Sequence, residues 1–226
     1  MNSIILLHGA IGAKDQLEPL AKELKQVGLD AHTFNFSGHG TSPFQNEFSI
    51  KQFASELETV IQQQNLIKPI IFGYSMGGYV ALYLAKHKPD LLGNIITLGT
   101  KFEWTPDIAQ REIKMLDLKT IIDKVPKFAE ALKIRHGNNW ELLLQKTAMM
   151  MVDLGNTNAL SEEDISHIEN QVTICLADKD TMVSLTETTT IYKQLKNSAM
   201  FMLPNTKHPI ETVDISLLAK IINNLN

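Results

Sequence analysis

One run constrains this chain more than any other: Ile70-Ile71-Phe72-Gly73-Tyr74-Ser75-Met76-Gly77-Gly78-Tyr79-Val80-Ala81. Apolar, β-favouring residues enter a Gly-x-Ser-x-Gly pattern, and Val80, Leu82, Tyr83 and Leu84 leave it at helical spacing. The run predicts a strand, a very tight turn and a helix, with Ser75 at the apex. A serine hydroxyl is a poor nucleophile unless it is exposed, lies beside a base and faces N–H donors. A sharp strand-to-helix turn supplies the exposure but crowds strand against helix. Gly73 and Gly77 stand where side chains would collide. The start of the helix adds free N–H groups where negative charge would develop. The pentapeptide alone also fits an ordinary loop, so the rest of the chain has to decide.

Before this run the chain alternates strand and helix. Ser3 to Leu7 is apolar without a period, as expected of a strand buried on both faces. It ends in the glycine-bearing loop His8-Gly9-Ala10-Ile11-Gly12. Asp15 to Val27 has helical spacing, and Gly28 closes it. Asp30 to Phe36 is expected to be the second strand, followed by a loop through Ser37-Gly38-His39-Gly40. Ser49 is placed to cap the next helix, with Gln52 at the capping-box position. Lys68 to Phe72 and Asn94 to Gly99 are the third and fourth strands, on either side of a helix over Met76 to Lys88. Strand–helix alternation with short connections predicts a parallel sheet covered by helices on both faces.

The rhythm breaks after Thr100. Four helical stretches follow: Asp107–Asp117, Leu118–Ile134, Asn139–Leu154 and Glu162–Ile168. The block from about 101 to 168 is rich in methionine (Met115, Met149, Met150, Met151) and carries Phe128 and Trp140. Its size and position suit a cap over the C-terminal edge of the sheet. The plainer alternative is that these helices only extend the core. Gln171 to Ala177 resumes the sheet, Leu185 to Leu195 is a helix, Ala199 to Leu203 is the last strand, and Val213 to Leu225 is a closing helix.

Composition narrows the class. The 226 residues are 44% hydrophobic and 20% charged, as in a soluble globular protein, here expected to be a single domain. A net charge of -4 without a basic run gives no reason to expect a nucleic-acid partner. The lone Cys175 sits in an apolar run and reads as a core thiol. The N-terminus lacks a basic n-region and no stretch reaches membrane-spanning length, so a cytoplasmic location without membrane insertion is expected. His32, His87, His136 and His167 show no metal-ligand spacing, and no metal is expected.

Four polar features each fall just after an expected strand: His8-Gly9-Ala10, Ser75, Asp178 with Asp180, and His208. A parallel sheet gathers its C-terminal strand ends along one edge, where ligands bind. Serine, acid and histidine in that chain order are the arrangement for nucleophilic acyl transfer. With these residues the chain resembles the α/β-hydrolase superfamily over nearly its whole length, and within it the small, lid-bearing, cofactor-independent hydrolases of bacterial type. The resemblance implies a mostly parallel sheet of about six strands, trimmed at one edge, with a helical lid insertion. It also implies Ser75 as nucleophile and His208 as base. The run Ala177-Asp178-Lys179-Asp180-Thr181-Met182-Val183 resembles the family's acid-loop pattern, which implies Asp180 as the acid rather than its rival Asp178. The oxyanion donors implied are the backbone N–H groups of Ala10 and Met76.

His8 and His39 are expected to support their loops, and Tyr74 and Trp104 either to line the pocket or to pack. The resulting expectation is a serine esterase for a small-molecule acyl substrate with a mainly apolar, small-to-medium acyl group. Two other readings stay open: C–C, lactone or thioester cleavage or a lyase reaction by the same residues, and a non-catalytic ligand receptor.

Overall fold

The computed structural model describes residues 2–225. Six strands, β1 (Ser3–Leu7), β2 (Asp30–Thr33), β3 (Ile70–Tyr74), β4 (Ile95–Leu98), β5 (Val172–Ala177) and β6 (Ser198–Leu203), form one sheet in the order β2-β1-β3-β4-β5-β6. Every neighbouring pair is parallel. Helices α1 (Glu18–Gln26), α2 (Ile50–Gln63) and α3 (Met76–His87) connect the first four strands in turn. Between β4 and β5 lie α4 (Pro106–Glu112), α5 (Leu118–Lys124), α6 (Pro126–His136), α7 (Trp140–Asn156) and α8 (Glu162–Ser166). Helix α9 (Leu185–Gln194) joins β5 to β6, and α10 (Ile215–Asn224) follows β6.

The unbroken apolar character of β1 is explained by packing on both faces. Ile4 and Leu6 pack with Leu20 and Leu24 of α1 and Leu218 and Ile222 of α10. Ile5 and Leu7 pack on the other side with Phe53 and Leu57 of α2 and Val80 and Leu84 of α3. These four side chains of β1 are fully buried, and each contributes about 1.5–3 kcal/mol relative to exposure. Among the described residues no helix is long and apolar enough to cross a membrane.

Local chemistry moves several boundaries. Strand β2 ends at Thr33 rather than continuing to Phe36, because the Phe36 N–H donates to His8 Nε2 (3.2 Å) and leaves the ladder. The helix expected over Leu118–Ile134 is two helices. Pro126 cannot donate an N–H and disfavours helical backbone at Val125, whose φ,ψ of -134°, 57° lie outside the helix. Pro126 instead opens α6. Ser49 does cap α2, accepting from the Gln52 N–H at 3.1 Å, but the Gln52 amide donates to Glu56 Oε1 (3.0 Å) rather than closing a capping box. Helix α10 starts at Ile215, later than the Val213 expected, because Asp214 Oδ1 caps it through the Leu217 N–H at 3.0 Å.

Candidate active site

The Gly-x-Ser-x-Gly run forms the tight turn between β3 and α3. Ser75 has φ 51° and ψ -117°, a conformation that costs a non-glycine residue about 1–3 kcal/mol. The surroundings over-determine it. The Ser75 N–H donates to Leu98 O at 2.8 Å, and its carbonyl accepts from the Gly78 N–H and the Thr100 hydroxyl, both at 3.0 Å. A Cβ on Gly73 would strike the backbone of Gly77 and Gly78, and one on Gly77 would strike the Leu7 backbone. The glycines therefore let the turn close against β1 and α3.

The loop after β6 brings His208 to the same strand edge. Its Nδ1–H donates to Asp180 Oδ2 at 2.7 Å, which leaves Nε2 as the acceptor in the neutral ring. Asp180 Oδ1 accepts from the N–H groups of Met182 (2.8 Å) and Val183 (2.9 Å). Burial alone would raise the pKa of this carboxyl. The hydrogen bond and charge of His208, with the two backbone donors, outweigh it and hold Asp180 below the usual carboxylate value. Asp178 is placed differently: its Oδ1 accepts from the Thr206 N–H at 3.0 Å, tying the acid loop to the loop after β6. Buried Tyr74 donates its hydroxyl to His208 O at 3.1 Å, and burial pushes its pKa up so that it stays a donor.

Ser75 and His208 share the wall of a cavity of about 60 Å³, together with Ala10, Met76, Trp104 and Met150. A wider cleft of about 250 Å³ meets the same two residues from another side, past Tyr74 and Phe128. The five residues expected at the site by sequence thus meet around one cavity or, for Asp180, directly behind it. Tyr74 and Trp104 both line space that reaches Ser75.

The model of the alpha/beta hydrolase fold family matches residues 2–120, more than half of the chain. The chain belongs to the α/β-hydrolase fold family. Over 97 residues this hydrolase-fold chain is 31% identical to the sn-1-specific diacylglycerol lipase ABHD11 of Mus musculus, covering 42% of this chain and 32% of that protein. The match thus spans about a third of that relative's length. A longer match, 24% identical over 186 residues, covers 80% of this chain and 71% of a thermostable monoacylglycerol lipase of Bacillus sp. strain H-257. Among solved structures, the enol-lactonase of Burkholderia xenovorans superimposes with a TM-score of 0.79 at 11% identity, over 99% of this chain and 90% of that one. The monoacylglycerol lipase of Paleococcus ferrophilus gives 0.72 at 17%, over 99% and 93%. At these identities the structural likeness concerns the fold.

Two features of this α/β-hydrolase site were not singled out from the sequence. The first is Lys101, three residues beyond the end of β4. Its Nζ donates to Met182 O at 2.8 Å and lies 3.4 Å from Glu112 Oε1. Because the Met182 N–H holds Asp180, Lys101 braces the acid loop from the far side. Its position near a strand end was the available signal.

The second is His136, at the end of α6. Its Nε2–H donates to Ile11 O (2.9 Å) and its Nδ1 accepts from the Gly40 N–H (2.8 Å). Ile11 holds φ 51°, a strained value for a β-branched residue. One ring thus pins the loop after β1 and the loop carrying His39. Those partners lie 125 and 96 residues away in sequence, so no local spacing reveals them.

His8, His39 and His136 are all buried. The Nδ1–H of His8 donates to Gly9 O (2.9 Å) while Nε2 accepts from the Phe36 N–H, so the ring is neutral. His39 Nδ1 bonds Ser37 O at 3.0 Å, and the ring stacks on Phe48. Burial lowers all three imidazole pKa values, that of His8 to about 4. In the unfolded chain these rings titrate near 6.5. As pH falls below 6.5 the unfolded state takes up protons that the folded state refuses, so stability drops until the folded pKa is reached. For His8 alone the loss between about pH 6.5 and pH 4 comes to about 3 kcal/mol. The depressed pKa of Asp180 adds a loss of the same sign in more acidic solution. The urea unfolding midpoint is therefore expected to be clearly lower at pH 5 than at pH 7; equal midpoints would contradict the neutral buried state of these rings.

Proposed function

We propose that this protein is a serine hydrolase that cleaves an ester or related acyl compound through Ser75, His208 and Asp180. The observation that carries the reading is the pairing of His208 with Asp180 at the wall of the cavity that holds the strained Ser75 turn. His208 Nε2 takes the proton from Ser75 Oγ as the hydroxyl attacks the substrate carbonyl, and then delivers it to the leaving alcohol. Asp180 holds the Nδ1–H tautomer and stabilises the imidazolium. The backbone N–H groups of Met76 and Ala10 receive the oxyanion, and each such donor lowers the barrier by about 2.7–4 kcal/mol. Water activated by His208 releases the acyl group, and no cofactor takes part.

The block of α4 to α8, within about 101–168 of a single domain, acts as the lid. In support, Trp104, Met150, Met151 and Leu154 from this block line the cavity, and His136 ties it to the loops below. The apolar lining fits a small-to-medium acyl chain carried by a small cytoplasmic substrate. The names of the Mus musculus and Bacillus relatives, a diacylglycerol and a monoacylglycerol lipase, support an acyl ester as the substrate class.

The test is a screen of p-nitrophenyl esters from acetate to dodecanoate, with matched thioesters, against the protein and its Ser75→Ala variant. Turnover of short and medium esters that disappears in the variant is expected. No turnover across the series, with tight binding of an unchanged ligand, would favour a receptor instead.

A further inference from the structure

A second cavity, of about 310 Å³, lies on the other side of Trp104. Its walls include the apolar side chains of Phe102, Leu160, Ile165 and Ile191, and its rim carries the exposed Glu103 and Thr186. Trp104 lines both this space and the smaller cavity at Ser75, and among the described residues no other lines both. The partition on either side of the ring is built from paired side chains. Tyr79, on the Ser75 side, donates its hydroxyl to Asn158 on the far side. Lys101, on the Ser75 side, faces Glu187 at 3.9 Å. Glu187 is in turn held by the N–H groups of Phe102 (3.1 Å) and Ser184 (3.0 Å). The indole differs from these pairs. Among the described residues its buried Nε1 has no hydrogen-bond partner, so packing alone holds the ring in place.

We propose that Trp104 sets the acyl-chain length this protein accepts, by closing the Ser75 cavity off from the larger cavity behind it. The inference rests on the reading of Ser75 as an ester-cleaving nucleophile. A cavity of about 60 Å³ seats a short chain. The cleft past Tyr74 and Phe128, which meets Ser75 from another side, takes the alcohol part of the ester. A longer acyl chain extends into the space behind the indole, where it meets Phe102, Leu160, Ile165 and Ile191. Each methylene that gains burial there raises kcat/KM about fourfold, since its transfer from water recurs in the transition state.

The test compares kcat/KM for p-nitrophenyl acetate, butyrate, octanoate and dodecanoate in the wild type and in Trp104→Phe, Trp104→Leu and Trp104→Ala. Labelling of each by a fluorophosphonate probe reports an intact Ser75 site. The wild type is expected to prefer butyrate. The octanoate-to-butyrate ratio is expected to rise as the side chain shrinks, by at least about tenfold in Trp104→Leu or Trp104→Ala, and to stay near the wild-type value in Trp104→Phe. A loss of packing alone would lower all four substrates together and leave the ratio unmoved. Labelled variants with an unshifted ratio would overturn the role of Trp104 while leaving Ser75 as the nucleophile. A folded wild type that takes no label would overturn the reading of Ser75, and this one with it.

Discussion

Replacing Ser75 by Ala is expected to lower turnover of an activated ester by about 10⁴- to 10⁶-fold, with no loss of fold. In the proposed mechanism the size of the effect follows from the cooperation of the three side chains: without the nucleophile, the base and acid have nothing to activate. The fold should survive because Ser75 is held by its backbone. Its N–H bonds Leu98 O, and its carbonyl accepts from Gly78 and Thr100. Alanine retains all three bonds and bears the same strain at φ 51°. Steady-state kinetics with a circular dichroism melt checks both parts. A variant with native melting and undiminished turnover would mean that another group attacks the substrate.

Asp180→Asn is expected to lower kcat by about 10⁴-fold, whereas Asp178→Asn leaves kcat within a factor of a few. The two carboxylates are two residues apart in one loop, but their partners differ. Asp180 receives the His208 Nδ1–H. An asparagine there can turn its amide N–H₂ towards Nδ1, which places the ring proton on Nε2, the atom that accepts the Ser75 proton in the proposed mechanism. Asp178 receives the Thr206 N–H instead, so its replacement weakens a hydrogen bond between two loops and lowers stability slightly without touching His208. Kinetics and urea melts of the two variants separate these effects, and the reverse ranking of kcat would place the acid at Asp178.

Much of the fold was legible because its signals are local. The strands buried on both faces showed as short apolar runs such as Ser3–Leu7, and the Gly73 to Gly77 turn marked its own geometry. The resemblance to the family's acid-loop pattern favoured Asp180 over Asp178, and the structure gives the two carboxylates different partners. The helical block was harder. Pro126 divides a stretch whose apolar periodicity runs on through it, so spacing alone suggested one helix. The Gln52 side chain had two uses, accepting from the Ser49 N–H through its oxygen or donating to Glu56 through its N–H₂, and it bonds Glu56, a choice that no pattern encodes. The contacts of His136 and Lys101 depend on how the block sits on the sheet, and their partners come from loops distant in sequence. Long-range juxtaposition of this kind leaves no periodic trace.

The central claim, that Ser75 is an activated nucleophile, is tested most directly by mass spectrometry of the folded protein after reaction with a fluorophosphonate. One adduct is expected, on the peptide that carries Ser75, and it should be lost when the protein is unfolded in urea before the probe is added. An adduct on any other residue, or a folded protein that stays unmodified, would contradict the account.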